Sequence, residues 1–327
     1  MRGSISRNQR FPIESAEANV ARVMAIYLPI ANMSVNAIVM ILLGGGVGIL
    51  SGMFGVGGGF LTTPLLIFYG IPPTVAAASA ATQVTGASIS GALAHWRRDG
   101  VDVKMGLILV AGGMIGSLAG AGLFTLLQSV GQIDTVISVV YVIMLTWIGT
   151  LLAKDALRSF AAARDGVLLP QKMKHHNRFV AALPMRWRFY RSGLYVSPLA
   201  PLLLGFVAGV LTLLLGVGGG FIMVPAMIYL LGMSARVVVG TSLFQILFVT
   251  ITSTMVHAVT TKAVDIVLAT LLLIGGVIGA QIGARLALKV KPEKLRMLLA
   301  IIVLLVALGM SLELAWQPDE IYSVEKL

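Results

Sequence analysis

Gln83 and Gln245 are the two residues whose type and setting best suit them to chemistry. Each lies in an apolar stretch, with hydroxyls in the four residues before it: Ser79 and Thr82 ahead of Gln83, Thr241 and Ser242 ahead of Gln245. At helical spacing Ser79, Thr82 and Gln83 share one face. Such neutral groups can hydrogen-bond an oxyanion without a buried counter-charge. Upstream of each glutamine stands a glycine run, Gly57-Gly58-Gly59 in one case and Gly218-Gly219-Gly220 in the other. A run this dense breaks a helix, because glycine loses the most backbone entropy on ordering. The short segment after each break then offers uncapped N–H groups and the positive end of a helix dipole, which attract anions. The plain alternative is that the glycines only ease packing and the hydroxyls bond their own backbone.

The elements that hold these residues are duplicated. Gly55-Val56-Gly57-Gly58-Gly59-Phe60 with Pro64 returns as Gly216-Val217-Gly218-Gly219-Gly220-Phe221 with Pro225, 161 residues on. Gln83 and His95 answer Gln245 and His257. Gly112, Gly113, Gly116 and Gly120 answer Gly275, Gly276, Gly279 and Gly283, and Gly44 and Gly48 answer Gly205 and Gly209. A fixed period of this kind marks a repeat architecture.

With 57% hydrophobic and 11% charged residues among 327, the chain belongs in a bilayer. The net charge of +11 is carried between apolar segments, where it sets orientation rather than binding nucleic acid. Without cysteine there is no disulfide, thiolate metal site or cysteine nucleophile. The first 35 residues show no cleavable signal peptide.

The pattern predicts an all-α polytopic bundle of two homologous repeats, about five helices each, with a short broken helix after each GVGGG. Residues 1–35 form an N-terminal segment with an interfacial or partly inserted helix over 16–31. Repeat 1 fills 36–153, a basic cytoplasmic loop 154–197, repeat 2 198–312, and an acidic, disordered tail 313–327. Gly44, Gly48 and Gly52, and likewise Gly112, Gly116 and Gly120, read as close-packing faces. Five crossings per half would invert the second half, placing Arg97, Arg98, Lys104 and the basic residues from Arg285 to Arg296 inside, and Arg2, Arg7, Arg10 and Arg22 outside. Re-entrant short segments would instead make the repeats parallel. Broken helices at matching positions of two repeats point to a secondary transporter's substrate site.

The candidate substrate-binding set is therefore Gly57, Gly58, Gly59, Ser79, Thr82, Gln83, Gly218, Gly219, Gly220, Thr241, Ser242 and Gln245. No catalytic residue, metal ligand or cofactor is expected, and His175-His176 reads as a solvated pair. His95 and His257 read as interfacial anchors, with proton coupling as their alternative role. No carboxylate falls in the middle of a clear span, which disfavours a carboxylate proton relay. GVGGGF lacks the Gly-Lys-Ser/Thr that a P-loop requires, and no Gly-x-Ser-Gly turn supports an intramembrane serine protease. A passive anion channel would share the site chemistry.

On the duplicated GVGGGF-x-x-x-P, the small-residue helices with Gln83 and Gln245, and Gly91-Ala-Leu-Ala-His-Trp-Arg-Arg98, the chain resembles the sulfite exporter TauE/SafE family over about Asn36 to Leu312. The resemblance implies a bacterial inner-membrane transporter of small sulfur-containing anions such as sulfite, sulfoacetate or other sulfonates, with a non-sulfur organic anion as the alternative cargo.

Overall fold

The computed structural model describes residues 25–54, 56–97, 99–164, 187–286 and 292–315. A hairpin of β1 (Ala25–Leu28) and β2 (Met33–Asn36) leads into α1 (Ala37–Phe54), α2 (Gly59–Phe68), α3 (Pro73–Trp96), α4 (Val103–Ser129) and α5 (Ile133–Arg164). The order then repeats. A second hairpin of β3 (Trp187–Phe189) and β4 (Leu194–Val196) precedes α6 (Leu199–Leu215), α7 (Gly220–Tyr229), α8 (Ala235–Val256), α9 (Ile266–Leu286) and α10 (Pro292–Ala315). A π turn, His257–Thr261, continues α8. Six of the helices, α1, α4, α5, α8, α9 and α10, contain segments long and apolar enough to cross a membrane.

The hairpins correct two expectations. In place of the described end of a 16–31 helix, residues 25–28 pair antiparallel with 33–36. Within the expected 154–197 loop, α5 runs on to Arg164, and residues 187–189 pair with 194–196. The duplication thus reaches further upstream than the glycines show. Asn32 (φ 51°) and Gly193 (φ 63°), also 161 residues apart, both take the left-handed conformation at the hairpin turns. The helix expected over residues 16–24, His175-His176 and the tail from residue 316 lie outside the described residues.

The glycine rows set which helices meet. A Cβ at Gly44, Gly48 or Gly52 of α1 would sit 2.2–2.5 Å from the carbonyl oxygens of Leu272, Gly276 and Ala280 of α9. Gly112 and Gly116 of α4 meet the carbonyls of Leu202 and Phe206 of α6 at 2.1 and 2.0 Å in the same sense. Only backbone against backbone fits there, the small-residue packing that lipid favours. In both pairs residue numbers rise together, so the helices are parallel, and the first helix of each repeat lies along the fourth helix of the other. Gly116→Leu is expected to lower stability by ~2 kcal/mol or more, since neither backbone can retreat without separating α4 from α6. Thermal unfolding in detergent measures this; an unchanged midpoint would mean that α4 and α6 do not pack this closely.

The third helices behave differently. Thr82 lies beside Thr254 and Thr85 beside Thr250, so α3 and α8 run antiparallel. The short helices fold back: a Cβ at Gly58 would touch Ser51 and Val47 of α1, and the Asn36 N–H meets the Tyr69 hydroxyl at 3.5 Å. At 1.5 Å per residue α2 rises ~15 Å, about half a bilayer core. This alters the crossing count expected from the sequence. Here α1 and α2 return the chain together to the end where it started, and three further helices per repeat still leave an odd count with a half-length α2.

One end of the bundle gathers basic residues. The end of α3, the start of α4, the late part of α5, the second hairpin and the end of α9 meet there, bringing Arg97, Lys104, Lys154, Arg158, Arg188, Arg191 and Arg285 to that side. Arg191 pairs with Asp99 at 2.9 Å and donates to the Val101 carbonyl. The opposite end carries the first hairpin, Asp134, where the carboxylate accepts from the Thr74 N–H, and Glu313.

Candidate functional site

The two glycine breaks meet in the middle of the bundle. A Cβ at Gly59 would lie 2.5 Å from the Gly216 carbonyl oxygen, and one at Gly220 would lie 2.4 Å from that of Val56. Phe60 and Phe221, the residues that follow, stack face to face with ring centroids 4.3 Å apart and an interplanar angle of 2°. Val84 of α3 and Ile246 of α8 wedge between the breaks, each against both Gly57 and Gly218. Gly57 and Gly58 have φ of 86° and 76°, Gly218 and Gly219 76° and 75°. Residues with a Cβ rarely adopt that region, which explains why the runs are glycine.

Gly58 and Gly219 stand at the N-caps of α2 and α7, and neither helix has a side-chain cap. Two helix N-termini, each equivalent to roughly half a positive charge, therefore converge on one buried locus. Like partial charges facing each other disfavour the arrangement by itself. An anion between them reverses the sign of that interaction and accepts from first-turn N–H groups.

The second break is fastened by three side chains. Thr63 and Tyr141 donate to the Leu215 carbonyl at 3.1 and 2.5 Å, and His257 Nε2 lies 2.8 Å from the Leu213 carbonyl. A carbonyl only accepts, so the Nε2 of His257 carries the proton, and Nδ1 faces the Thr261 hydroxyl at 3.0 Å. His257 is fully buried, edge-on to Phe124, and is not the interfacial anchor expected from its position. It sits where the helix passes into the π turn, a distortion common at functional positions. His95, its repeat counterpart, ends α3 at the basic end.

The expected hydroxyls divide. Thr82 lies on the α3–α8 seam beside Thr254, with Thr85 donating to Thr250 at 2.8 Å on the same seam. Ser242 donates to the carbonyl of Val239. Ser79 and Thr241 serve the ends of the bundle. Ser79 Oγ accepts from the Asp265 N–H at 3.3 Å, and Thr241 Oγ1 from the Asp102 N–H at 3.0 Å.

Those aspartates escaped the sequence reading, though their separation of 163 residues matches that of the glycines around them. Each caps the fourth helix of its own repeat and holds the hairpin of the other. The Asp102 carboxylate accepts from the Met105 N–H and from the Ser192 N–H and hydroxyl. That of Asp265 accepts from the N–H groups of Val267, Leu268 and Ile30. Both carboxylates are buried.

Both glutamines are buried in matching places. Gln83 Oε1 accepts from the Thr62 hydroxyl at 2.7 Å. Neither amide atom of Gln245 has a hydrogen-bond partner, and the other buried side-chain atoms without one among the described residues are the hydroxyls of Ser88 and Ser253. All four orphan atoms belong to α3 and α8. Among the described residues no group of His, Asp and Glu side chains could hold a metal ion.

The profile of the sulfite exporter TauE/SafE family matches residues 40–310. A Bacillus subtilis protein described as probable membrane transporter protein YjnA is 29% identical over 268 residues, covering 81% of this chain and 96% of its own length. The B. subtilis protein YunE, described in the same words, is 27% identical over 277 residues, covering 82% and 95%. A probable membrane transporter protein of Xylella fastidiosa is 26% identical over 277 residues, covering 84% and 94%. No solved structure matches the chain.

Proposed function

The chain belongs to the sulfite exporter TauE/SafE family and is a multi-pass membrane transporter, and we propose that its cargo is a small sulfur-containing anion such as sulfite, sulfoacetate or another organosulfonate. The observation that carries the reading is the convergence of two uncapped helix N-termini, Gly58-Gly59 and Gly219-Gly220, on one buried locus flanked by neutral hydrogen-bonding side chains. That locus suits negative charge and not positive charge. The antiparallel α3 and α8 support an inverted-repeat architecture, in which two related halves alternately open a central site to either side. The basic end is assigned to the cytoplasm of a bacterial inner membrane by the positive-inside rule.

Gly57, Gly58 and the glycines at 218–220 supply the N–H groups, while Gly59, whose N–H donates to the Gly57 carbonyl at 3.0 Å, supplies the close approach; Gln83, Gln245 and Thr82 supply side-chain hydrogen bonds. Ser79 and Thr241 hold the outer ends of the helices that carry the glutamines. Binding is tested by thermal unfolding of the purified protein in detergent with added sulfite, sulfoacetate, taurine or sulfate. A ligand at a hundred times its Kd stabilises by about 2.7 kcal/mol, so one of the sulfur anions is expected to raise Tm by several degrees. No shift with any of them, against a shift with a carboxylate, would move the cargo to the non-sulfur organic anions.

A further inference from the structure

We propose that Gln245, and not its twin Gln83, selects the cargo, and that it selects a singly charged anion carrying a hydrogen-bond donor of its own. The inference rests on the anion-transport reading above and narrows the class of anion.

The two glutamines occupy equivalent positions in antiparallel helices, each one residue before a wedge between the breaks, Val84 or Ile246. Their partners are not equivalent. Thr62 on α2 donates to Gln83 at 2.7 Å, whereas the residue at the same place on α7 is Met223, whose thioether has no proton to give. Gln83 Oε1 is thus already engaged within the protein, and it ties α2 to α3. Gln245 is 0% exposed, with both Oε1 and Nε2 unpartnered.

A buried carboxamide without partners is an unfavourable arrangement that a ligand can relieve. Relieving it fully takes two features in one molecule: an oxygen that accepts from Nε2–H and a donor that reaches Oε1. An anion without a donor satisfies Nε2 and leaves the carbonyl buried and orphaned. Hydrogen sulfite or a hydroxysulfonate meets both atoms; a sulfate dianion meets one and adds a second charge that the site does not offset. The backbone of α4 comes close at this point, since a Cβ on Gly113 would lie 3.3 Å from Nε2 and 2.3 Å from the side chain of Val249. With no side chain on Gly113, none from α4 reaches the amide, and neither Oε1 nor Nε2 gains a partner there. Sites built to hydrogen-bond a ligand hydroxyl discriminate strongly against the analogue lacking it, for the same reason.

The test compares 2-hydroxyethanesulfonate with ethanesulfonate, alike in charge and close in size but for one hydroxyl, by binding to the purified full chain. The carboxylate pair lactate and propanoate is run in parallel. In the wild type the hydroxylated member is expected to bind at least about tenfold tighter. Gln245→Met, which keeps length and removes both polar atoms, is expected to cut the ratio below about twofold. Gln83→Met is expected to keep it, and Met223→Thr, which gives Gln245 the partner that Gln83 has, to lower it. Each variant is first confirmed monodisperse. If the preference appears only in the carboxylate pair, the sulfur reading fails and this proposal stands. If neither pair shows a preference, or if Gln83→Met abolishes it while Gln245→Met does not, the proposal is overturned.

Discussion

Gly220→Val is expected to abolish substrate flux, to below roughly one-hundredth of the wild-type rate. Its Cβ would meet the Val56 carbonyl oxygen at 2.4 Å and the Ile246 side chain at 2.4 Å, so the first break would have to move off the second. Both clashes fall on the Cβ, which no side-chain rotation moves, and the two γ-methyls of valine add bulk to them. The converging N-termini of α2 and α7 would separate, and the anion would lose the dipole ends and N–H groups that favour it. Gly122→Val is the matched control. Gly122 lies on the exposed face of α4 with nothing within 4 Å, and its variant is expected to transport normally. Flux into vesicles, normalised to inserted protein, checks both; a fully active Gly220→Val would remove the paired breaks from the mechanism.

The second large effect is on stability. Asp265→Ala strips the acceptor from the N–H groups of Val267, Leu268 and Ile30 at once. Loss of a helix cap costs ~1 kcal/mol, and a buried amide left without a partner ~1–3 kcal/mol more. The variant is therefore expected to unfold with a loss of ~2–4 kcal/mol, and the first hairpin to become the preferred site of proteolytic cleavage. Asp102→Ala, which frees the Met105 and Ser192 N–H groups and the Ser192 hydroxyl, is expected to do the same to the second hairpin. By contrast, the exposed Arg191–Asp99 pair is expected to contribute little. Wild-type melting in both aspartate variants would mean that the hairpins are not fastened through these carboxylates.

Much of this arrangement was legible in the sequence because glycine constrains the backbone directly. The repeat, the helix breaks and the packing rows at Gly44, Gly48, Gly112 and Gly116 follow from where a Cβ cannot fit. The two hairpins were not legible. Each strand is only three or four residues long, too short for periodicity to separate strand from helix, and the one echo that marks a turn is that of Asn32 in Gly193. Nor could spacing show that Asp102 and Asp265 each grip the hairpin of the opposite repeat, a contact made across the bundle. His257 read as an anchor because it ends an apolar stretch; the π turn draws it inward onto the Leu213 carbonyl. The difference between Gln83 and Gln245 depends on which residue of the short helix faces each, and the single exchange of Thr62 for Met223 carries no signal until α2 and α7 are placed.

The central claim is that an anion bound where the two breaks meet is carried across by alternating exposure of that site. Its most direct test is initial uptake into proteoliposomes of the purified chain, measured against concentration for sulfite, sulfoacetate, taurine and sulfate, with and without an imposed proton gradient. Uptake of one sulfur anion that saturates with concentration, responds to the gradient and is lost in Gly220→Val is the expected result. Uptake that stays linear with concentration and passes the anions without preference would contradict it and identify a passive channel.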